Sequence, residues 1–563
     1  MPDRLPRLAG RLRRPRPAAG PSGSGGAYDA IVVGAGHNGL VAAAYLARAG
    51  LRVVVLERNP WVGGAAVSRQ LHPEVLYSNC SYVCSLFRPE IMRDLELPRF
   101  GLQILPYEGG AILTEDGGYL AAFRDHDANR REIARRSPRD AEAYDRYARD
   151  VTRFCRFIRP MLMRTPPDPA SFRPRDLAEM AWLARRFGEM SEAQIHAMLR
   201  FWTMSIADYL DEYFEDEALK AFLAGSGIIG TALGPMSPGS AYVLLHHYMG
   251  DVDGNVGAWG FARGGMGAVS RALRLSFEAA GGEVRTGKAV RRILVRDGRT
   301  TGVECEDGEV IRGTRVISGM DVKRTFLEHV EPAHLPEDFV ARVRRFKTRG
   351  SSGKVNIALS ALPRFPALPE NGPMLKGDLH FTDSIERLER AYDDWKAGRF
   401  SRDPFQDTMI PTLTDPTMAP PGMHFMSCFV QYAPPKIEGR PWTDADRDAF
   451  GDTVVGQIER FAPGFRDLIL HMEVRTPREL EAEVGLTEGN IFQGELTFDQ
   501  LLFNRPVPGW AQYRSPVAGL WICSSSTHPG GGVMGAPGRN AAAEILKEAR
   551  TGREQMVDAY AVL

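Results

Sequence analysis

Residues Tyr28 to Gly64 read YDAIVVGAGHNGLVAAAYLARAGLRVVVLERNPWVGG, and this stretch decides the fold. The apolar run Ala30-Ile31-Val32-Val33 reads as a buried parallel strand. It leads into G-x-G-x-x-G at Gly34, Gly36 and Gly39, and then into the helix-forming run Leu40 to Arg48. A second apolar run, Arg52 to Leu56, ends in Glu57, at the distance from the glycines that a dinucleotide fold requires. Each residue type answers a physical need. Gly34 makes the tight turn, with Ala35 behind it. Gly36 lets a pyrophosphate reach the backbone, and Gly39 lets helix and strand pack closely. The helix N-terminus offers free N–H groups to phosphate, and the Glu57 carboxylate accepts from ribose hydroxyls.

The residues after the acid select the dinucleotide. Arg58 and the pair Gly63-Gly64 spell E-R-x-x-x-x-G-G, continuing to Ala65. A simple nicotinamide fold has no need for consecutive glycines there. The longer ribityl and pyrophosphate of FAD run past that loop, and the backbone must approach them closely. These residues therefore point to FAD, held without a covalent link because no cysteine or histidine sits in an attachment motif.

Two further segments carry a resemblance. Gly519 to Ala543 reads GLWICSSSTHPGGGVMGAPGRNAAA, and Tyr242 to Leu273 reads YVLLHHYMGDVDGNVGAWGFARGGMGAVSRAL. With the N-terminal motif, they resemble the phytoene desaturase-like flavoproteins of the glutathione reductase and amine oxidase superfamily, relatives of the carotenoid ketolases and desaturases. Within these, the resemblance is to the pyridine nucleotide-disulphide oxidoreductase domain-containing protein 2 subfamily. It spans nearly the whole chain from Tyr28. It implies an α/β fold, an FAD-binding Rossmann-like domain interleaved with an α+β substrate domain. It further implies that Val290 lies by the adenine, and that Val533, Met534 and Gly535 open a helix whose N–H groups support the flavin ring. Ser524 and Ser526 depart from the family's usual glycines, and their hydroxymethyl groups would crowd backbone expected near the pyrophosphate.

Length and pattern set the domain plan. A chain of 563 residues exceeds one ordinary core. Residues 27–110, 255–320 and 485–563 are expected to build the FAD domain, and 111–254 with 321–484 the substrate and cap domain. Helical periodicity runs from about Arg135 to Ala224. A strand meander follows Gly281, and alternating strands such as KVNIALSAL and MHFMSCFVQYA fit a substrate-domain floor. Residues 1–26 are rich in Arg and Pro, which suits a disordered leader, with a targeting peptide as the alternative.

Seventy Lys+Arg balance seventy Asp+Glu, so no global field recruits nucleic acid. No apolar run approaches the ~20 residues that span a bilayer. A cytoplasmic protein is the expectation, with peripheral membrane contact open and the mitochondrial matrix as the alternative; oligomeric state is left open. The six cysteines are scattered. Cys80 and Cys84, spaced C-x₃-C, match neither the redox dithiol nor a zinc knuckle, and no metal site is read. Two more copies of G-x-G-x-x-G occur. One starts at Gly225, followed by prolines that forbid the required helix; one starts at Gly530, with too little chain after Gly535 for a βαβ unit. Neither makes a second nucleotide fold, which argues against a nicotinamide-fed enzyme.

His528, in T-H-P-G, is the candidate side chain beside the flavin ring. His246 and His247 sit in an apolar stretch, where core packing is the ordinary reading. Trp259, Phe261 and Arg263 divide evenly between cavity and core. The E-G-A closing stretch usual in amine oxidases is replaced here by H-P-G-G-G-V-M-G-A. The expectation is an FAD oxidoreductase for an apolar, isoprenoid- or polyene-like small molecule, with oxygen or a quinone as acceptor. The alternatives are a flavin-bound regulatory protein without turnover and a flavin amine oxidase.

Overall fold

The computed structural model describes residues 27–370 and 372–551. The expected leader at 1–26 lies outside the described residues. Strand β1 (Ala30–Val33), helix α1 (His37–Arg48) and strand β2 (Val53–Leu56) form the expected unit, with α1 opening inside the glycine motif rather than after it. Both strands are wholly buried, as their unbroken apolar runs require. The parallel sheet runs Glu283–Arg285, β2, β1, Val316–Ser318, Leu520–Ile522. Helix α1 packs on the helices Gly267–Ala279 and Ala536–Thr551. The C-terminal helix comes very close: a Cβ at Gly538 would stand 2.1 Å from the Asn38 carbonyl oxygen. The expected meander is the three-stranded antiparallel sheet Val290–Arg296, Arg299–Cys305, Val310–Arg312.

A second, seven-stranded sheet supplies the floor. Its order is Ile469–Arg475, Ser352–Leu359, His424–Gln431, Phe405–Met409, Leu379–His380, Gly109–Leu113, Tyr119–Phe123. All neighbours are antiparallel except Leu379–His380 beside Gly109–Leu113. Its central strands Ser352–Leu359 and Phe405–Met409 are buried on both faces. One face lies against a large apolar cluster formed with the helices between Pro138 and Tyr248, and the other against the helix Asp444–Phe461. Among the described residues no helix is long and apolar enough to cross a membrane.

The Gly225 copy of the motif is helix, not loop. Gly225 and Gly227 lie inside Glu217–Ile228, and a Cβ at Gly225 would stand 3.0 Å from the Phe405 ring and 3.1 Å from His380 Cε1. Gly225 lets the helix lie flat on the floor sheet, and Gly227 lets it pack against Ile206 of the helix Ile206–Asp211. The six cysteines are all free and buried.

Candidate active site

The glycine motif is shaped as a cradle. Gly34 takes φ +94°, a left-handed value that only glycine adopts cheaply. A Cβ at Gly39 would lie 2.3 Å from the Gly34 carbonyl oxygen, so helix and turn touch there. Gly36 is different: a Cβ there meets no protein atom within 4 Å. No side chain caps the start of α1. The first turn thus faces open space with N–H groups that a phosphate can take. Gly63, at φ +126°, is bridged to Gly36 and donates to the Ala35 carbonyl at 2.9 Å, while a Cβ at Gly64 would stand 3.3 Å from Gly36 Cα. A side chain at Gly64 would crowd the cradle, and one at Gly63 would strike the Ala66 carbonyl oxygen at 2.5 Å.

Glu57 is 6% exposed, and two amides fix its carboxylate: Ala35 N–H donates to Oε2 at 2.8 Å and Asn59 N–H to Oε1 at 2.9 Å. Burial pushes its carboxyl up from the usual range, against the pull of those two amides. The remaining lone pairs suit ribose hydroxyls. Val290 begins its strand two residues after Lys288, whose amide donates to the Glu57 carbonyl. Arg58 points elsewhere: its guanidinium donates to the Ala482 and Glu483 carbonyls, at the end of helix Pro477–Val484. It holds that helix rather than a ligand.

From Ala65 a cavity with about 890 Å³ of empty space, its mouth included, runs between the cradle and the floor sheet. Ala65, Ser525, Gly532 and Val533 line its cradle side, and Lys354, Gly353 and Phe429 its floor. The donor set and the open space at Gly36 fit FAD, which Gly36, Glu57 and the Gly63–Ala65 loop would hold.

Of the C-terminal trio only Val533 reaches the cavity. Met534 is fully buried beside Leu86, and a Cβ at Gly535 would collide with Ile91 and Phe87, so both pack the core beneath. The expected crowding by Ser524 and Ser526 does not arise. Ser526 Oγ donates to the Gln493 carbonyl at 2.6 Å and accepts from Val322 N–H, Ser524 Oγ accepts from Ser526 N–H, and the serine facing the cavity is Ser525. His528 must also be corrected. Its Nε2 lies 3.0 Å from the Met161 carbonyl oxygen, and its ring lines a separate small cavity beneath the cap helices. Burial lowers its pKa to about 4, so it stays neutral and ties the C-terminal turn to the cap. His247 and Trp259 line the main cavity; His246 is core, with Nε2 2.9 Å from the Gly531 carbonyl oxygen. Phe261 is buried against Tyr107, and Arg263 reaches Gln103.

Sequence reading missed two residues here. Lys354, 2% exposed, brings the cavity its single Lys, Arg, Asp or Glu side chain among the described residues. Its Nζ donates to the Cys80 carbonyl at 3.1 Å and lies 4.9 Å from the Tyr82 ring centre. Burial lowers its pKa to about 7, so it exchanges a proton near neutrality. Arg505, fully buried, donates to the carbonyls of Phe492, Gly494, Glu495, Gln500 and Ser525. It clamps the loop whose Phe492 forms one cavity wall. No local signal marks Lys354. Arg505 sits in an N-R-P run that reads as a surface turn.

The chain is 41% identical over 92% of its length, and 94% of the relative's, to a mouse protein described as pyridine nucleotide-disulfide oxidoreductase domain-containing protein 2. It is 25% identical, over 92% of its length and 93% of the relative's, to a phytoene desaturase (neurosporene-forming) of Cereibacter sphaeroides. In fold it is similar to putrescine oxidase with bound putrescine (TM-score 0.57, 16% identity, covering 93% of this chain and 99% of that one). The sequence model of the family described as flavin containing amine oxidoreductase matches residues 39–546. A matching family over nearly the whole chain and a cradle shaped for the cofactor agree: this chain belongs to the flavin-containing amine oxidoreductases, and its cofactor is FAD.

Proposed function

We propose that the protein oxidises an apolar, isoprenoid- or polyene-like molecule, with oxygen or a quinone as the final acceptor. The observation that carries this reading is the charge of the cavity wall. Among the described residues no Asp or Glu lines it, its one lysine would repel an ammonium when charged, and Tyr82, Trp259, Phe429 and Phe492 with Leu86, Ile229 and Ile491 make it largely apolar. A protonated amine would meet no counter-charge there, whereas an apolar chain gains about 25 cal/mol for each Å² it buries. Among the relatives, the Cereibacter protein is named for an apolar polyene and the fold neighbour holds a diamine. The wall supports the first kind of substrate.

FAD, when bound, supplies the two-electron acceptor. The chain's own residues do the rest. Aromatic walls orient the substrate and exclude water. Lys354 Nζ, in part neutral near pH 7, accepts the proton that the substrate loses as its hydride leaves. Anaerobic stopped-flow reduction with carotenoid precursors, terpenes, fatty acyl chains and amines tests the reading. Flavin bleaching by members of the apolar set is expected. Saturable bleaching by an amine, with none by any apolar compound, would overturn it.

A further inference from the structure

Behind the cavity floor lies a polar cluster that the flavin chemistry does not use. Asp378 precedes and His380 ends the short strand Leu379–His380, so both side chains stand on one face, two residues apart. The pairing of Leu379 with Thr408 on the antiparallel neighbour puts Asp407 directly opposite His380. His380 and Asp407 are nearly inaccessible, with side chains 5% and 2% exposed, while Asp378 is 27% exposed and opens a path to solvent.

The spacing is informative. His380 Nε2 stands 3.6 Å from Asp378 Oδ2 and 3.7 Å from Asp407 Oδ1, and the three ligand atoms lie within 4.8 Å of one another. These separations are too long for hydrogen bonds. The two distances from His380 Nε2 are close to the ~3.4 Å between ligands of a tetrahedral ion with bonds of about 2.1 Å. Asp407 Oδ1, aimed into this space, has no hydrogen-bond partner although it is fully buried. The other oxygen, Oδ2, is satisfied by the Tyr82 hydroxyl at 2.7 Å. A buried carboxylate oxygen without a partner is costly, and no Lys or Arg ion pair reaches either aspartate among the described residues.

The histidine is held in place for the purpose. Its ring is packed between Phe222 at 4.9 Å and Phe405 at 5.0 Å between centres, with Gly225 flat against Cε1. A side chain at Gly225 would push the imidazole out of line. The glycine that mimics a nucleotide motif in the sequence thus keeps Nε2 directed at the two carboxylates.

We propose that Asp378, His380 and Asp407 bind a divalent transition-metal cation of the Zn²⁺ or Mn²⁺ class, with solvent water completing the shell on the Asp378 side. One imidazole and two carboxylates are a ligand set such ions accept. The site is distinct from the flavin cradle and adjoins the cavity through Tyr82, which lines the cavity while donating to Asp407, and through Phe429, the register partner of Asp407 on the next strand. The ion would neutralise the buried Asp407 and the partly exposed Asp378 carboxylates and pin the floor strands Leu379–His380 and Phe405–Met409 together.

The test uses FAD-loaded protein stripped with a chelator, then titrated with ZnCl₂ or MnCl₂ by calorimetry. Bound metal is counted by mass spectrometry after desalting, and melting is followed with and without metal. Stoichiometric uptake and a raised melting temperature that chelator reverses are expected. Asp407→Asn and His380→Gln should retain FAD and weaken metal binding by roughly tenfold or more. Asp378→Asn is partly exposed, so it reports on the site should the buried variants fail to fold. Absence of uptake by the wild type at millimolar metal would overturn the proposal. So would uptake that Asp378→Asn and every folded buried variant leave unchanged, because the metal would then sit elsewhere.

Discussion

Replacing Lys354 with methionine offers a measurement whose sign and size follow from one buried group. Lysine in an unfolded chain titrates near 10.5, and burial lowers Lys354 to about 7 in the fold. Above 10.5 the amine is neutral in both states and contributes nothing. Between those values the unfolded chain takes up a proton that the fold refuses, so stability falls as pH falls, by about 1.4 kcal/mol per unit. Below about 7 the cost is complete, at about 5 kcal/mol. Methionine fills similar space without a proton, so the variant gains what the lysine loses. It also loses the amine's hydrogen bonds to the Ser78 and Cys80 carbonyls, which costs ~1 kcal/mol at every pH. Unfolding entropy of about 2.1 cal/mol/K per residue gives this 563-residue chain roughly 1.2 kcal/mol/K. Calorimetry of the flavin-loaded variant should then show a melting point about 3 °C above wild type near pH 6, and no gain near about pH 9.5. A shift that is the same at both pH values, or a loss confined to the acid side, would refute the placement of an uncharged lysine in this floor.

Gly36→Val should abolish FAD retention, because the side chain would occupy the open space before α1; wild-type flavin stoichiometry in the purified variant would contradict that. Arg505→Lys keeps the charge but loses the planar fork that reaches five carbonyls, and should lower stability by about 3 kcal/mol or more in denaturant titration; an unchanged midpoint would count against the clamp. His528→Asn should leave the rate of flavin reduction within about twofold and cost about 1 kcal/mol of stability, whereas a rate loss of more than tenfold would return His528 to the chemistry. NADH or NADPH at millimolar concentration should fail to bleach the flavin anaerobically on a catalytic timescale, while dithionite bleaches it fully. Rapid nicotinamide bleaching would require a binding mode outside the two spurious glycine motifs.

What was legible in the sequence divides by whether a residue's role is imposed by backbone or by assembly. The Gly34 turn, the Gly39 contact and the Gly63-Gly64 loop are places where a Cβ would strike backbone or force a strained φ. Only glycine serves there, so the motif survives as letters, and the strands and acid around it are local enough to read. His528 shows the limit of the same signal. The glycines about it announce a turn but not which way its ring faces, and the partner that settles this, the Met161 carbonyl, comes from a helix more than three hundred residues earlier.

Lys354 was hidden for a related reason. In KVNIALSAL it reads as a solvated residue at a strand end, because alternation assigns one face of a strand to water. The strand Ser352–Leu359 is instead buried at every position, on both faces, between two antiparallel neighbours. Its lysine therefore points inward, to carbonyls of a loop some 275 residues away. The same holds for Asp378, His380 and Asp407, which become neighbours only when the floor strands pair. In this chain glycine spacing records where a cofactor must approach the backbone. The charges that tune the cavity are set by sheet register, and register is written across hundreds of residues rather than in any one motif.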